Sequence, residues 1–377
     1  MNRTRNGVRS TLLVVPAAAM AVACNDVSWP DPQYIDSLRV LAVKGEPPAL
    51  APNQATELSL LCADGHGGPE ADPTCDIETA WFAECDNPTR NDPQKCFDTY
   101  RSWGKKLSPT VSDTPPEEWP HGFSFGPRMQ FQAPEDILKY ELEVPGQAAD
   151  QAADEASREK LRYGNSYVYF AACAGKLVAE PDVDERLPVS CVDPDSGKRL
   201  GQDRFVVGIT TLYSYEGITT KNPELVDTRF VDSRLDAPLS VEACSDADEC
   251  PTGFACSENH VCLPSVSPCN EKTQQSCEWH CFQFGVTDES YRLFRSDGVA
   301  LRSPTKALWV EYFTNAGVFP DDDGFALPPP AANDSSRRNP CIFWRAPPNA
   351  TDNAHLWVVV RDDRGGVATW DQRVIVR

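Results

Sequence analysis

Apolar residues along this chain come in short runs broken by proline, glycine and acidic pairs, and they seldom hold a helical period. The runs at 37–44, 57–62, 79–85, 166–173 and 205–212, and one ending at 131–134, are rich in Val, Leu, Ile and aromatic residues. Such side chains suit a half-buried pleated surface, and turn formers at both ends cut the runs to strand length. Only 147–161, rich in Ala and Glu, reads as helix by propensity.

The end of the chain repeats the scheme in a smaller space. A run at 307–313 contains Trp309, Phe343-Trp-Arg-Ala-Pro347 echoes Phe131-Gln-Ala-Pro134, and 356–361 with 367–376 forms a hairpin turned by Asp362-Asp-Arg-Gly-Gly366. Short strands without alternating helices predict sandwiches rather than βαβ units. The expectation is a mostly β fold: two immunoglobulin-like β-sandwich modules, at 35–236 with insertions and at 283–377, joined by a small disulfide-rich segment at 237–282.

Composition supports a folded chain. Among 377 residues, 41% are hydrophobic, and 33 prolines favour many short strands over long helices. The net charge of -21 argues against nucleic acid or an anionic lipid surface as partner, since both are bound through cationic patches. Residues 1–23 pair a basic start with an apolar run at 11–23 that is too short for a membrane span, which reads as an export signal. Its loss removes Arg3, Arg5 and Arg9 and takes the charge to -24. Ala21-Val22-Ala23 before Cys24 is similar to a bacterial lipobox, with Ala21 where Leu is usual. The expectation is a lipid on Cys24, a tether at 24–34 and an outer-membrane address on the periplasmic or surface side. A plain signal peptide cut near Ala23 is the alternative.

The 15 cysteines support export. Setting Cys24 aside leaves an even number, all able to pair in an oxidising compartment. Cys62, Cys75, Cys85, Cys96, Cys173 and Cys191 precede the joint. Cys62, Trp81 and Cys173 follow the order of an immunoglobulin core, whereas short spacing favours Cys62 with Cys75, Cys85 with Cys96 and Cys173 with Cys191, and both readings stay open. The joint holds seven more: Cys244, Cys250, Cys256, Cys262, Cys269, Cys277 and Cys281. Seven cannot pair internally, so if the first six pair among themselves at least one bridge from the run must reach Cys341, and the favoured origins are Cys269, Cys277 and Cys281. Alternate pairing, Cys244 with Cys256 and Cys250 with Cys262, then makes the first part a separate staple. The run reads as a rigid spacer followed by a clamp. It has few apolar residues, so crosslinks are its source of order, each contributing about 2–4 kcal/mol.

The Cys24 leader, the stretch Leu38-Arg-Val-Leu-Ala-Val-Lys-Gly-Glu-Pro-Pro48, the cysteine run and the ending Leu356-Trp-Val-Val-Val-Arg-Asp-Asp-Arg-Gly-Gly366 together resemble uncharacterised cell-surface lipoproteins of myxobacteria. The resemblance implies an envelope address and immunoglobulin-like modules, and it brings no known reaction or functional residue.

Candidate chemistry is sparse. Gly122-Phe-Ser-Phe-Gly126 matches the nucleophile elbow of α/β-hydrolases, but that motif needs a strand before Ser124 and a helix after it. Prolines flank the motif here, and only His121 or His280 offers a base. Cys269, Cys277, His280 and Cys281 are zinc-type ligands without the close pairs of a structural zinc site. The acidic turns Asp193-Pro-Asp195 and Asp321-Asp-Asp-Gly324 offer carboxylates to calcium without completing a binding loop. No metal, cofactor or catalytic set is therefore expected. The long insertion at 86–127 carries Tyr100, Trp103, Trp119 and Phe123. Aromatic rings on a loop can stack on sugars or anchor a protein, so an envelope protein or polysaccharide partner would bind there. The other reading is that these rings cover the flank of the first sandwich.

Overall fold

The computed structural model describes residues 32–66, 75–88, 92–143, 160–181, 186–231, 236–238, 243–245, 249–270, 277–320, 324–327 and 340–377. The export signal, Cys24 and most of the tether lie outside them, as do residues 147–159 of the expected helix and Asp321–323 of the second acidic turn. Lys160 and Leu161, also read as helix, open the long strand Lys160–Cys173. The fold is mostly β.

In the first half, Leu38–Glu46, Ala55–Asp64 and Arg128–Gln132 form an antiparallel three-stranded sheet. A larger sheet lies over it, ordered Ala49–Leu50, Phe205–Tyr215, Lys160–Cys173, Glu78–Asp86 and Phe123–Phe125. Val43, Leu58, Met129 and Phe131 from the small sheet meet Trp81, Val168, Phe170 and Leu212 from the large one. The strand Glu78–Asp86 is buried on both faces: Trp81 points into this core, and Phe82 points the other way into a second one. That is why its sequence reads as an unbroken apolar run rather than an alternation.

In the second half, a sheet of Asp236–Pro238, Leu225–Val231, His280–Val286 and Cys341–Trp344 faces a six-stranded one. The latter carries the hairpin Thr351–Asp362 and Val367–Val376, with Leu308–Thr314 beside it. Phe230, Phe282, Phe284, Tyr312, Trp344, Leu356, Val358, Val360 and Val374 fill the space between. The strand Leu225–Val231, placed with the first module by the sequence, pairs with His280–Val286 in this sheet. The cysteine run is thus an excursion between two strands of one sheet. Its later part is stitched down as well, since Ser265 and Val266 pair in parallel with Ile375 and Val376.

Six disulfides among the described residues follow the short-range pairing, Cys62–Cys75, Cys85–Cys96, Cys173–Cys191, Cys244–Cys256, Cys250–Cys262 and Cys269–Cys277, and a seventh, Cys281–Cys341, links the run to the last strands. The immunoglobulin-type link from Cys62 to Cys173 does not form. Cys173 lies on a strand of the large sheet and pairs with Cys191 of a neighbouring hairpin, on the second core's side.

The halves also touch directly. Ile35, Leu41, Ala42 and Ala63 pack against Trp357, Val359 and Val367. The Ile35 amide donates to Thr314 O at 2.8 Å, the Thr314 amide donates to Gln33 O at 2.9 Å, and the Arg361 guanidinium donates to Leu41 O. Asn222 lies across the seam. Its amide nitrogen donates to Gly45 O at 2.8 Å, and its oxygen accepts from the Val367 amide at 2.8 Å. Beside it Lys306 Nζ, fully buried, donates to Asp362 at 2.7 Å, to Thr220 Oγ1 at 3.0 Å and to Lys221 O at 2.7 Å. The cysteine run therefore does not act as the spacer expected of it, because the strands it interrupts belong to a half already packed on the other.

Candidate functional site

The aromatic insertion is the part of the sequence that most suggested binding, and the structure turns its rings inward. Asp92 caps the short helical turn Pro93–Cys96 through Gln94 N, and Cys96 anchors that turn to Cys85 of the sheet. The following turn, Phe97–Arg101, then brings Tyr100 over Phe82, with ring centroids 5.7 Å apart. Trp103 stacks on Phe82 at 6.0 Å, and Phe123 meets Phe82 edge-on at 5.3 Å. Tyr100, Trp103 and Phe123 are all buried. The Tyr100 hydroxyl donates to Phe82 O at 3.3 Å, and burial holds its phenol well above the usual tyrosine range. Burial likewise pushes the neighbouring Tyr169 up to about 12. Trp119 is half-buried, its indole nitrogen donating to Thr114 O at 3.0 Å. Of the two readings of these rings, the structure matches the second: Tyr100, Trp103 and Phe123 form a lid over the flank of the large sheet. The Cys85–Cys96 bridge and the apolar face of Glu78–Asp86 draw the rings down, which removes more apolar area from water than an exposed loop would.

Beside the lid is a cavity of about 380 Å³, in the size range of small-ligand sites. Phe97, Leu187, Val189, Leu200, Phe205 and Val207 form most of its wall. Arg186 and Arg199 lie on its rim, and both guanidiniums reach the largely buried carboxylate of Glu180, Arg186 at 3.0 Å. Sequence reasoning passed over these residues. Their only signal is a lone glutamate just before a proline, and the ion pairs spread over 180–199 show no recognisable spacing.

The other candidates are dispersed. Ser124 sits in the strand Phe123–Phe125, and the next element is the strand Arg128–Gln132 rather than a helix. His121 is exposed and pairs with Glu84. His280 is buried in the other half, between the rings of Phe230 and Trp344. Cys269, Cys277 and Cys281 are all bridged, which leaves His280 without thiolate neighbours for a zinc site from that set. Asp193 accepts from the Ser196 amide at 2.7 Å and from its hydroxyl at 2.6 Å. These bonds to Ser196 hold the Asp193 carboxyl below the usual range and close the turn on itself. Cys244, Cys250 and Cys256 lie close together, and each is in a disulfide.

No protein-family model matches the chain, and no curated protein matches it. Among solved structures the chain is similar to Salmonella alpha-2-macroglobulin reacted with methylamine, at 9% identity and a TM-score of 0.20. The match covers 90% of this chain and 17% of the other, and a score that low defines no shared fold.

Proposed function

We propose that the chain is a lipid-anchored component of a bacterial cell envelope, of the kind found on myxobacterial surfaces, with a structural or binding role. The observation that carries this reading is the combination of the leader ending at Cys24 with seven disulfides in the described residues. That density of bridges belongs to an oxidising compartment. No helix among the described residues is long and apolar enough to cross a membrane, and in this reading the lipid on Cys24 supplies the attachment. One acyl chain binds a membrane only reversibly, and the several chains of a bacterial lipoprotein make the attachment stable. Binding, where it occurs, falls to the cavity at Phe97 and Phe205 rather than to the buried rings of the insertion.

The test is metabolic labelling with a radioactive fatty acid. The wild-type chain takes up label and sediments with membranes, while Cys24→Ser is unlabelled. An unlabelled, soluble wild-type chain would sink the anchor. Affinity capture from envelope extract with the Cys24→Ser chain then separates a binding role, which yields a specific protein or glycan, from a purely structural one.

A further inference from the structure

The cavity beside the lid has an uneven lining. Most of it is apolar, and among the described residues that line it only Arg186 and Arg199 carry charge. Glu180, the carboxylate that holds both guanidiniums, is not one of them: it stands behind the two arginines, largely buried. Each arginine keeps more than half of its side chain in solvent. A guanidinium carries five N–H donors in a fixed fork, and one shared carboxylate leaves most of them unused.

Two positive charges against one negative give this rim an excess of one, in a chain whose net charge is -21. Glu180 also fixes both forks in place, so little ordering remains to be done when an anion arrives. A further polar group shares the lining. Ser190 is only 7% exposed, and its hydroxyl has no hydrogen-bond partner. Leaving a buried hydroxyl unpaired costs free energy, which an acceptor oxygen on a bound molecule would recover.

We propose that the cavity takes a small carboxylic acid with a single apolar tail. The tail lies among Phe97, Leu187, Phe205 and Val207, and the carboxylate meets the free donors of Arg186 and Arg199. This deepens the reading of the cavity as the binding site and rests on it. One excess positive charge matches a monoanion, whereas a phosphate monoester brings close to two negative charges at neutral pH. The volume of about 380 Å³ is near the low end of small-ligand sites, which suits one short tail rather than the paired chains of a membrane lipid. A neutral or cationic molecule of the same shape would fill the wall equally well but forgo the charge-assisted hydrogen bonds, which are the stronger kind.

Isothermal titration calorimetry on the full chain carrying Cys24→Ser, which has no lipid of its own to compete, tests this with three probes of one tail length: decanoate, decanol and decyltrimethylammonium. Decanoate is expected to bind, decanol to bind ~10-fold or more weakly, and the cation more weakly still. Arg199→Gln removes the excess charge while Arg186 still covers Glu180. It is expected to lower the decanoate affinity ~10-fold and to leave decanol unchanged, which a general loss of structure would not do. Val207→Trp, at a lining position that is 49% exposed, fills the cavity and weakens both probes without altering the near-UV circular dichroism. Decanol binding as tightly as decanoate, or an Arg199→Gln chain that binds both as before, overturns the acid and leaves the cavity as the binding site. Decanoate binding that is indifferent to Val207→Trp, or no binding of any probe, overturns the proposal and that assignment together. Fatty-acid labelling at Cys24 reads the anchor independently of either outcome.

Discussion

Lys306 has three hydrogen-bond donors on its ammonium group and finds three acceptors, Asp362, Thr220 and the Lys221 carbonyl. The second oxygen of Asp362 is also occupied, accepting from the amides of Arg364 at 2.8 Å and Gly366 at 2.7 Å. A charge pair without solvent exposure is tolerable only when its polar atoms are satisfied in this way. Lys306→Met leaves the carboxylate buried without its counter-charge and is expected to cost about 3–5 kcal/mol, read from urea unfolding. Adding Asp362→Asn should recover part of that loss, because the charge goes while an oxygen remains for the two turn amides. A loss confined to the level of a surface pair, about 1 kcal/mol or less, would show that the pair is solvated after all.

Among the elements, the disulfides differ in the length of chain they close. Cys281–Cys341 spans 60 residues and Cys269–Cys277 only 8. If the bridges act by restricting the unfolded chain, replacing the first pair by serine costs about 4 kcal/mol and the second about 2.5 kcal/mol. Equal losses in chemical denaturation would point to strain or packing instead. These bridges were largely legible in the sequence, because most partners lie close along the chain and because the odd number in the run forced one link to Cys341. The strands were legible for a similar local reason, as at Val367–Val376, where turn residues bound an apolar run. Placement was harder to read. Leu225–Val231 is an ordinary β-branched stretch, and only its long-range partner His280–Val286 assigns it to the second half. The rings at Tyr100, Trp103 and Phe123 have the same composition in a binding loop as in a lid. What separates the two is whether Phe82 offers an apolar face beneath them, and strand alternation hides this where both faces are covered.

Over the whole molecule, the seam decides how the parts behave. Asn222 links Gly45 and Glu46 of the first half to Val367 of the second, and the apolar contact of Leu41 and Ala63 with Trp357 and Val359 lies behind it. Two halves joined by a flexible linker would unfold as two calorimetric transitions, whereas a seam of this kind couples them into one. The wild-type chain is expected to show a single transition, and Asn222→Ala combined with Lys306→Met is expected to broaden or split it. Two well-separated transitions in the wild type would mean that the seam contributes little.

The bonds joining Gln33 and Ile35 to Thr314 also have a mechanical meaning. The chain enters the body not at the far end of the first half but on a strand of the second, through paired backbone bonds. A pull applied ahead of residue 33 therefore meets both halves at once and loads the seam in shear. It does not draw one half out before the other feels tension. A protein held by its N-terminal end and dragged by its surroundings would resist as one block, with the load spread over hydrogen bonds that must break together.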